Sequence, residues 1–318
     1  MATIVVVGSI NADLLTYVDD SKRIGNYVFG EDFRFNLGGK GLNQALNVSA
    51  SGQPVLLLGR VGDDFFGREI LLQLRKRGIK TDLIVKDRIA HTGIGHIRVS
   101  NEGEYDTVVV NGANSFLDKT QIDQAFKFKS QPSFILMNYE ILSEVVAHAA
   151  NKAREQGIQT IINLSPIAEG LVYSIDNADY LILNDDEARA VLKSDEKEPS
   201  RLASALREKG AKNVVITLGV DGVFAVDGSG AIFTSAQNKV SVENTIGAGD
   251  TFLSIFAVAL NAGKSFGEAI EVANYAASIV CTKKESFLAP TDLVDIAGKF
   301  DLPLPPPEKS LGAEYFHD

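Results

Sequence analysis

Short uninterrupted apolar runs alternate along this chain with longer stretches of helical period. The runs cover residues 3–7, 55–58, 134–137, 159–163, 180–183 and 214–217, and valine, isoleucine and leucine dominate them. Runs of this length without a polar face suit strands buried on both sides. Between them, residues 41–50, 67–77, 142–156, 185–192 and 200–209 carry apolar positions at helical spacing. Strand–helix alternation predicts right-handed βαβ crossovers and an α/β fold, with helices on both faces of a central, mainly parallel sheet. Gly78, Gly157 and Gly210 each stand between a predicted helix and the next strand, where a C-terminal glycine cap belongs.

Two regions break this rhythm. Residues 14–37 and 92–110 alternate apolar and polar positions and contain glycines. Within the second, residues 96–99 and 106–110 read as antiparallel strands around a turn at 101–104. Both regions are expected to form one small β-sheet projecting from the main body; the plain alternative is an edge extension of the central sheet. From Thr245 the chain turns helical, with apolar helices expected over 250–262 and 265–281. The tail after Phe300 holds Pro303, Pro305, Pro306 and Pro307 and then polar residues, and is expected to pack loosely. The resulting organisation is one α/β domain over 1–300 with the segments 14–37 and 92–110 inserted, followed by a tail over 301–318.

The 318 residues are 45% apolar, enough for a sizeable core, and carry a formal net charge of -10. Acidity on this scale repels nucleic-acid backbones and anionic membrane surfaces, so neither is an expected partner. A phosphorylated ligand would need local backbone dipoles or a few placed cations instead. Apolar runs fall short of a membrane span. The start, MATIVVVGSINAD, reads as a first strand and not as a signal peptide. The single cysteine, Cys281, follows an apolar run and reads as a small buried thiol; it fits a reducing compartment, and the cytoplasm is the expected location.

The candidate chemistry lies in Thr245-Ile246-Gly247-Ala248-Gly249-Asp250. A helix start offers unpaired N–H groups and a partial positive charge, and glycines clear the approach for an anion. Residues Ile246 to Asp250, with Gly247, Ala248 and Gly249 at the centre, are therefore expected to form an anion cradle. A carboxylate there repels phosphate but can take a proton from an attacking hydroxyl, so Asp250 is the candidate base for phosphoryl transfer to an alcohol. The plain alternative is a glycine-containing loop with Asp250 as a helix N-cap. No Walker A run is present, and residues 7–11 do not complete a dinucleotide fingerprint.

Several further motifs, in this order from about residue 3 to 295, resemble those of the ribokinase-like (PfkB) carbohydrate kinases. Gly38-Gly39-Lys40-Gly41-Leu42-Asn43-Gln44-Ala45 is similar to the family's N-terminal signature, in the form closest to its ribokinase branch, and Gly247-Ala248-Gly249-Asp250 to its C-terminal signature. Gly8-Ser9-Ile10-Asn11-Ala12-Asp13 resembles the sugar-binding start, Asn184-Asp185-Asp186-Glu187 the magnesium motif, and Ile216-Thr217-Leu218-Gly219 with Gly222 the nucleotide-binding turn. The resemblance implies a three-layer α/β/α kinase that uses ATP and Mg2+ to phosphorylate a small sugar. A neutral polyol needs donors and acceptors in fixed directions. By resemblance, Asn11, Asp13, Lys40, Asn43, Glu140 and Asp250 meet the sugar, and Gly39 lets backbone approach the ring. Asn184 and Glu187 would hold the metal, mainly through water, and their plain alternative is a helix-capping box. Thr217, Gly219, Gly222, Gly249 and Asn274 would line the nucleotide. The two β regions coincide with the family's lid, which covers the sugar and often pairs with the lid of a second subunit, so a homodimer is implied.

Two departures from the family pattern stand out. Where the family places an Asp beside its monovalent-cation site, this chain has Asn244, and the second cation loop reads Lys283-Lys284-Glu285-Ser286-Phe287. Weak or absent potassium activation follows from that reading. His96 and Arg98 stand on the lid hairpin where the family is apolar. If these two face inward, a larger or charged acceptor is implied, such as a hexose, a sugar acid or a nucleoside; otherwise they face solvent.

Overall fold

The computed structural model describes residues 2–19, 22, 24–100, 105–127, 131–168, 170–236 and 238–305. The expected turn at 101–104 and the tail from 306 lie outside the described residues. The main sheet consists of β1 (Ile4–Val7), β4 (Val55–Gly62), β5 (Ile84–Asp87), β8 (Phe134–Met137), β9 (Gln159–Asn163), β10 (Tyr180–Asn184), β11 (Asn213–Thr217), β12 (Val223–Val226) and β13 (Ile232–Ser235). Its order is β13-β12-β11-β10-β9-β8-β1-β4-β5. Pairing is parallel from β5 to β11, and β12 and β13 extend the edge antiparallel.

Period-two alternation along each strand feeds two separate cores. Ile4, Val6, Leu136 and Ile182 pack on one face, against α1 (Lys40–Ala50), α2 (Phe65–Lys76), α7 (Ala248–Asn261), α8 (Phe266–Val280) and α9 (Pro290–Phe300). Val5, Val7, Ile135 and Leu183 pack on the other, against α3 (Lys119–Ala125), α4 (Ser143–Glu155), α5 (Asp185–Leu192) and α6 (Pro199–Glu208). The three α/β/α layers of the sequence reading are therefore present. Gly78, Gly157 and Gly210 all take positive φ just after their helices, as C-terminal glycine caps do.

A second sheet stands apart, in the order β3-β2-β6-β7. It comprises β2 (Asn11–Val18), β3 (Gly30–Gly38), β6 (Gly93–Ser100) and β7 (Tyr105–Val110). It is not an edge extension of the central sheet. Its strands leave and re-enter the main body beside the carboxyl end of β1, which sets it over that end of the sheet. Two details differ from expectation. Leu302 is buried in the first core, and Pro305 packs over Gly52, so the described start of the tail is held tightly. Cys281 is half-buried at the end of α8, and partial burial pushes its thiol pKa up.

Candidate active site

The carboxyl ends of parallel strands gather loops at one edge of an α/β sheet, the usual place for ligands in this architecture. Here β1 leads into Ser9, Asn11 and Asp13, β8 into Glu140, β10 into Asn184, and β11 ends at Thr217. Helices α1 and α7 pack together across the first core and bring their N-terminal halves to the same place.

Helix α7 starts at Ala248, two residues earlier than expected, so Asp250 is its third residue and not its cap. The N-cap is Gly247, which takes φ 81 and makes no side-chain cap bond. Only glycine fits there, because a Cβ would lie 2.0 Å from the Ser286 carbonyl oxygen. The cradle is narrower than expected. The Ile246 N–H donates to Asn244 Oδ1 (2.8 Å) and the Ala248 N–H to the Thr245 carbonyl (3.3 Å). Among the described residues, the N–H groups of Gly247, Gly249 and Asp250 have no partner. A Cβ on Gly249 would meet nothing within 4 Å, so this surface is open to a ligand.

Beneath that open surface the Asp250 side chain is buried. Gln44 Nε2 donates to its Oδ1 (3.0 Å) and Asn43 Nδ2 to its Oδ2 (3.2 Å). Burial pushes the Asp250 pKa up; Lys40 opposes that shift and Glu140 adds to it. Lys40 itself is held charged. Burial works against its ammonium, but Asp250, Glu140 and Glu187 outweigh burial and raise its pKa. Glu140 is not a solvated residue: its Oε2 accepts from the Ser9 hydroxyl and from the Lys40 N–H (3.0 Å). A distant carboxylate thus serves the N-terminus of α1, whose own N-cap, Gly39, has no side chain to do so.

Gly39 has a packing role beside the one expected of it. Its φ is 89, and a Cβ would lie 2.9 Å from both Asn11 N and Ser9 O. The glycine is needed to seat α1 against the β1–β2 turn, whatever it does for a ring. Asn43 is likewise engaged at both ends, since its Oδ1 accepts from Ser286 Oγ (3.1 Å).

The second sheet presents Asn11 and Asp13 on one face. Cross-strand partners share a face, and Asp13 pairs with Gly95 and Asn36 while Asn11 pairs with Gly93 and Gly38. The glycines make room: a Cβ on Gly38 or Gly95 would run into the Asp13 carboxylate. Burial, then Glu140 and Asp250, push the Asp13 pKa up to about 7. His96 pairs with Leu14 and Val108, and Arg98 with Thr16 and Asp106, which sets both on the opposite face. Arg98 is bound to Asp106 and His96 is exposed beside Thr16. Ile97, buried, takes the inner face with Asp13. Of the two readings left open by the sequence, His96 and Arg98 take the outward one.

Asn184 and Glu187 form a complete capping box at the start of α5. Asn184 Oδ1 accepts from the Glu187 N–H (2.7 Å) and Glu187 Oε2 from the Asn184 N–H (2.8 Å). Asn184 neighbours Thr217 in register. Gly219 and Gly222 shape the exposed turn after β11, where the Leu218 N–H donates to the Gly222 carbonyl (2.8 Å). Asn274 is buried on α8 and donates to Ser235 Oγ and the Ala236 carbonyl, so its amide nitrogen holds the end of β13. Asn244 bridges two loops, accepting from Ile246 and donating to the Lys283 carbonyl (2.6 Å). The Lys283 ammonium pairs with Asp292 (2.7 Å).

Sequence reasoning missed several polar residues that build this cluster. Asn114 is buried and ties Ile10 and Asn11 in place. Ser9, Gln44, Asn47 and Ser286 likewise serve other side chains or backbone. Gln44 had one legible signal, its place in the N-terminal signature, and Asn47 stands as a polar residue between the apolar Leu46 and Val48.

The chain matches the model of the pfkB family of carbohydrate kinases over residues 1–292. It is 34% identical over 283 residues to the ribokinase of Bacillus subtilis (strain 168), covering 89% of this chain and 94% of that one. The crystal structure of ribokinase from Thermotoga maritima superposes with a TM-score of 0.85 at 27% identity, covering 94% of this chain and all (100%) of that one. The structure of Arabidopsis thaliana ribokinase complexed with ribose and ATP superposes with a TM-score of 0.83 at 24% identity, covering 93% of this chain and 98% of that one. With the fold, the carboxylate under an open helix start and these matches in agreement, the chain belongs to the pfkB family of carbohydrate kinases and is a phosphotransferase with an alcohol group as acceptor.

Proposed function

We propose that this protein transfers the γ-phosphoryl group of Mg-ATP to a primary hydroxyl of ribose or a closely related small sugar. The observation that carries the reading is the buried Asp250 carboxylate at the third position of α7, beneath backbone N–H groups that nothing else engages. Asp250 takes the proton of the sugar hydroxyl as its oxygen attacks the γ-phosphorus, and the bond to the β-bridging oxygen breaks to release ADP. The N–H groups of Gly247, Gly249 and Asp250 stabilise charge on the transferring group, a positioning and electrostatic task. Lys40, already held charged, adds the cation that an acidic protein must supply locally.

Asn11, Asp13, Lys40, Asn43 and Glu140 bind and orient the sugar. Thr217, Gly219, Gly222, Gly249 and Asn274 line the nucleotide. The donor set fits Mg2+ of the loosely held kind. Asn184 Oδ1 and Glu187 Oε2 serve the capping box, and among the described residues no cluster of three metal-binding side chains exists. A hydrated ion contacting Glu187 through water suits that arrangement, and it would neutralise phosphate charge when bound. The second sheet acts as the lid that excludes water from the transferring group. Its outer face exposes Phe33, Val108 and Val110, in keeping with a homodimer formed through the lids. The working location is the cytoplasm; among the described residues no helix is long and apolar enough to cross a membrane.

With His96 and Arg98 facing away from Asp13, the case for a sugar acid, hexose or nucleoside acceptor loses its support. Asn244, with its amide already committed to two backbone groups, leaves potassium activation weak or absent. A large rate increase on adding potassium to sodium-free enzyme would contradict that. The acceptor is tested by coupled ADP release across pentoses, hexoses, sugar acids and nucleosides. Ribose or a related pentose is expected to give the highest kcat/KM. A nucleoside or hexose preferred by more than about tenfold would overturn the assignment.

A further inference from the structure

The two oxygens of Asp250 are held in different ways. Oδ2 accepts from Asn43, whose other end is bound to Ser286 and which also stands among the proposed sugar contacts. Oδ1 accepts from Gln44, a side chain with no solvent exposure at all (0%). A sugar hydroxyl can replace the first donor, but nothing from outside reaches the second. We propose that Gln44 is a positioning residue for phosphoryl transfer: it holds Asp250 Oδ1 throughout and leaves Oδ2 as the oxygen that takes the sugar's proton. The inference rests on Asp250 being the base.

Packing alone does not account for Gln44. Its Oε1 is buried with no hydrogen-bond partner among the described residues. A buried acceptor left unpaired is unfavourable, and an apolar side chain of the same shape would fill the α1–α7 contact without it. The amide works in one orientation only, because a flipped Oε1 would face the carboxylate. A carboxylate free to turn about its terminal bond presents either oxygen over a range of angles; one fixed oxygen presents the other in a single direction, which is what a near-attack arrangement requires. The charged groups facing Asp250 are Lys40 from α1, Glu140 from the turn after β8 and Asp13 from β2.

The test compares Gln44→Met, which fills the space without a donor, and Gln44→Glu, which keeps the shape but sets a second carboxyl against Asp250. Asp250→Asn is the control. Steady-state kcat and KM are measured across pH, with thermal melts. For Gln44→Met, kcat should fall on the order of tenfold with the sugar KM nearly unchanged. The acid limb of its kcat profile should move to higher pH, because a donor that favours the charged form is gone. The melting temperature should change little, because the hydrogen bond lost at Asp250 Oδ1 is offset by removal of the unpaired Oε1. Gln44→Glu should lose more kcat at neutral pH than Gln44→Met, and it carries the same readouts if the methionine variant does not fold. Wild-type kcat and pH profile in Gln44→Met would overturn the proposal. So would a loss of kcat and stability together with an unmoved acid limb, the mark of a structural role. If Asp250→Asn keeps more than about a tenth of wild-type kcat, the base assignment itself fails, a separate result.

Discussion

Helices α5 and α7 begin in opposite ways. At α5, Asn184 and Glu187 close a reciprocal box and satisfy each other's backbone N–H groups. At α7 a left-handed glycine stands where a cap should be, and no side chain serves the first turn. Capping contributes roughly 1 kcal/mol, so leaving it out is a sacrifice of stability. The sacrifice is bounded, because α7 buries Phe252, Leu253, Ile255 and Phe256 completely or nearly so, at about 1.5–3 kcal/mol each. A strongly packed helix can keep an unsatisfied start in reserve for a charged ligand. A short helix such as α5 with one buried residue, Ala188, cannot.

The contrast is broken most severely at Gly247. Gly247→Ala adds a methyl group against the Ser286 carbonyl and strains the backbone at φ 81. It should lower kcat/KM by about 100-fold and reduce the melting temperature. Gly249→Ala, whose Cβ meets nothing, should fold as well as the parent or better by roughly 0.5–1 kcal/mol. Its penalty should appear in the KM for ATP. Equal behaviour of the two variants would contradict the picture of one buried and one open glycine.

A second effect sits in the charged cluster to which α7 contributes Asp250. The pKa of Asp13 is raised from 3.8 to about 7 in the folded protein. Between those values the native state keeps a proton that the unfolded chain has released. Stability should therefore fall as pH rises from about 4 to about 7, and Asp13→Asn should flatten that decline. Melting temperatures of the two proteins across that range test the sign. The smallest effect belongs to α5. Asn184→Ala should cost about 1 kcal/mol in a denaturant titration and raise the Mg2+ concentration needed for half-maximal rate. A change confined to stability would remove Asn184 from the proposed metal contacts.

Every parallel strand except β5 was legible as a continuous apolar run, which local patterning reports directly. The uncapped start of α7 was legible too, since Gly247 and Gly249 are unusual at a helix entrance. What stayed hidden depends on pairing across the chain. His96 has one allowed face only once β6 is registered against β2, and Asp13 needs Gly95 beside it for the same reason. Strands β5 and β13 carry polar residues within four positions, and helix α3, at seven residues, is too short to show a helical period. Gln44, Asn114 and Ser286 matter through partners more than 100 residues away, a relation that no local spacing expresses.

The central claim is that Asp250 is the proton acceptor under an anion-binding helix start. The most direct measurement is the turnover of Asp250→Asn beside its binding of sugar and ATP by calorimetry. The amide is nearly isosteric, so the variant should fold and bind both ligands while kcat falls by about 10²–10⁴. An Asp250→Asn enzyme that keeps more than about a tenth of wild-type kcat would contradict the account.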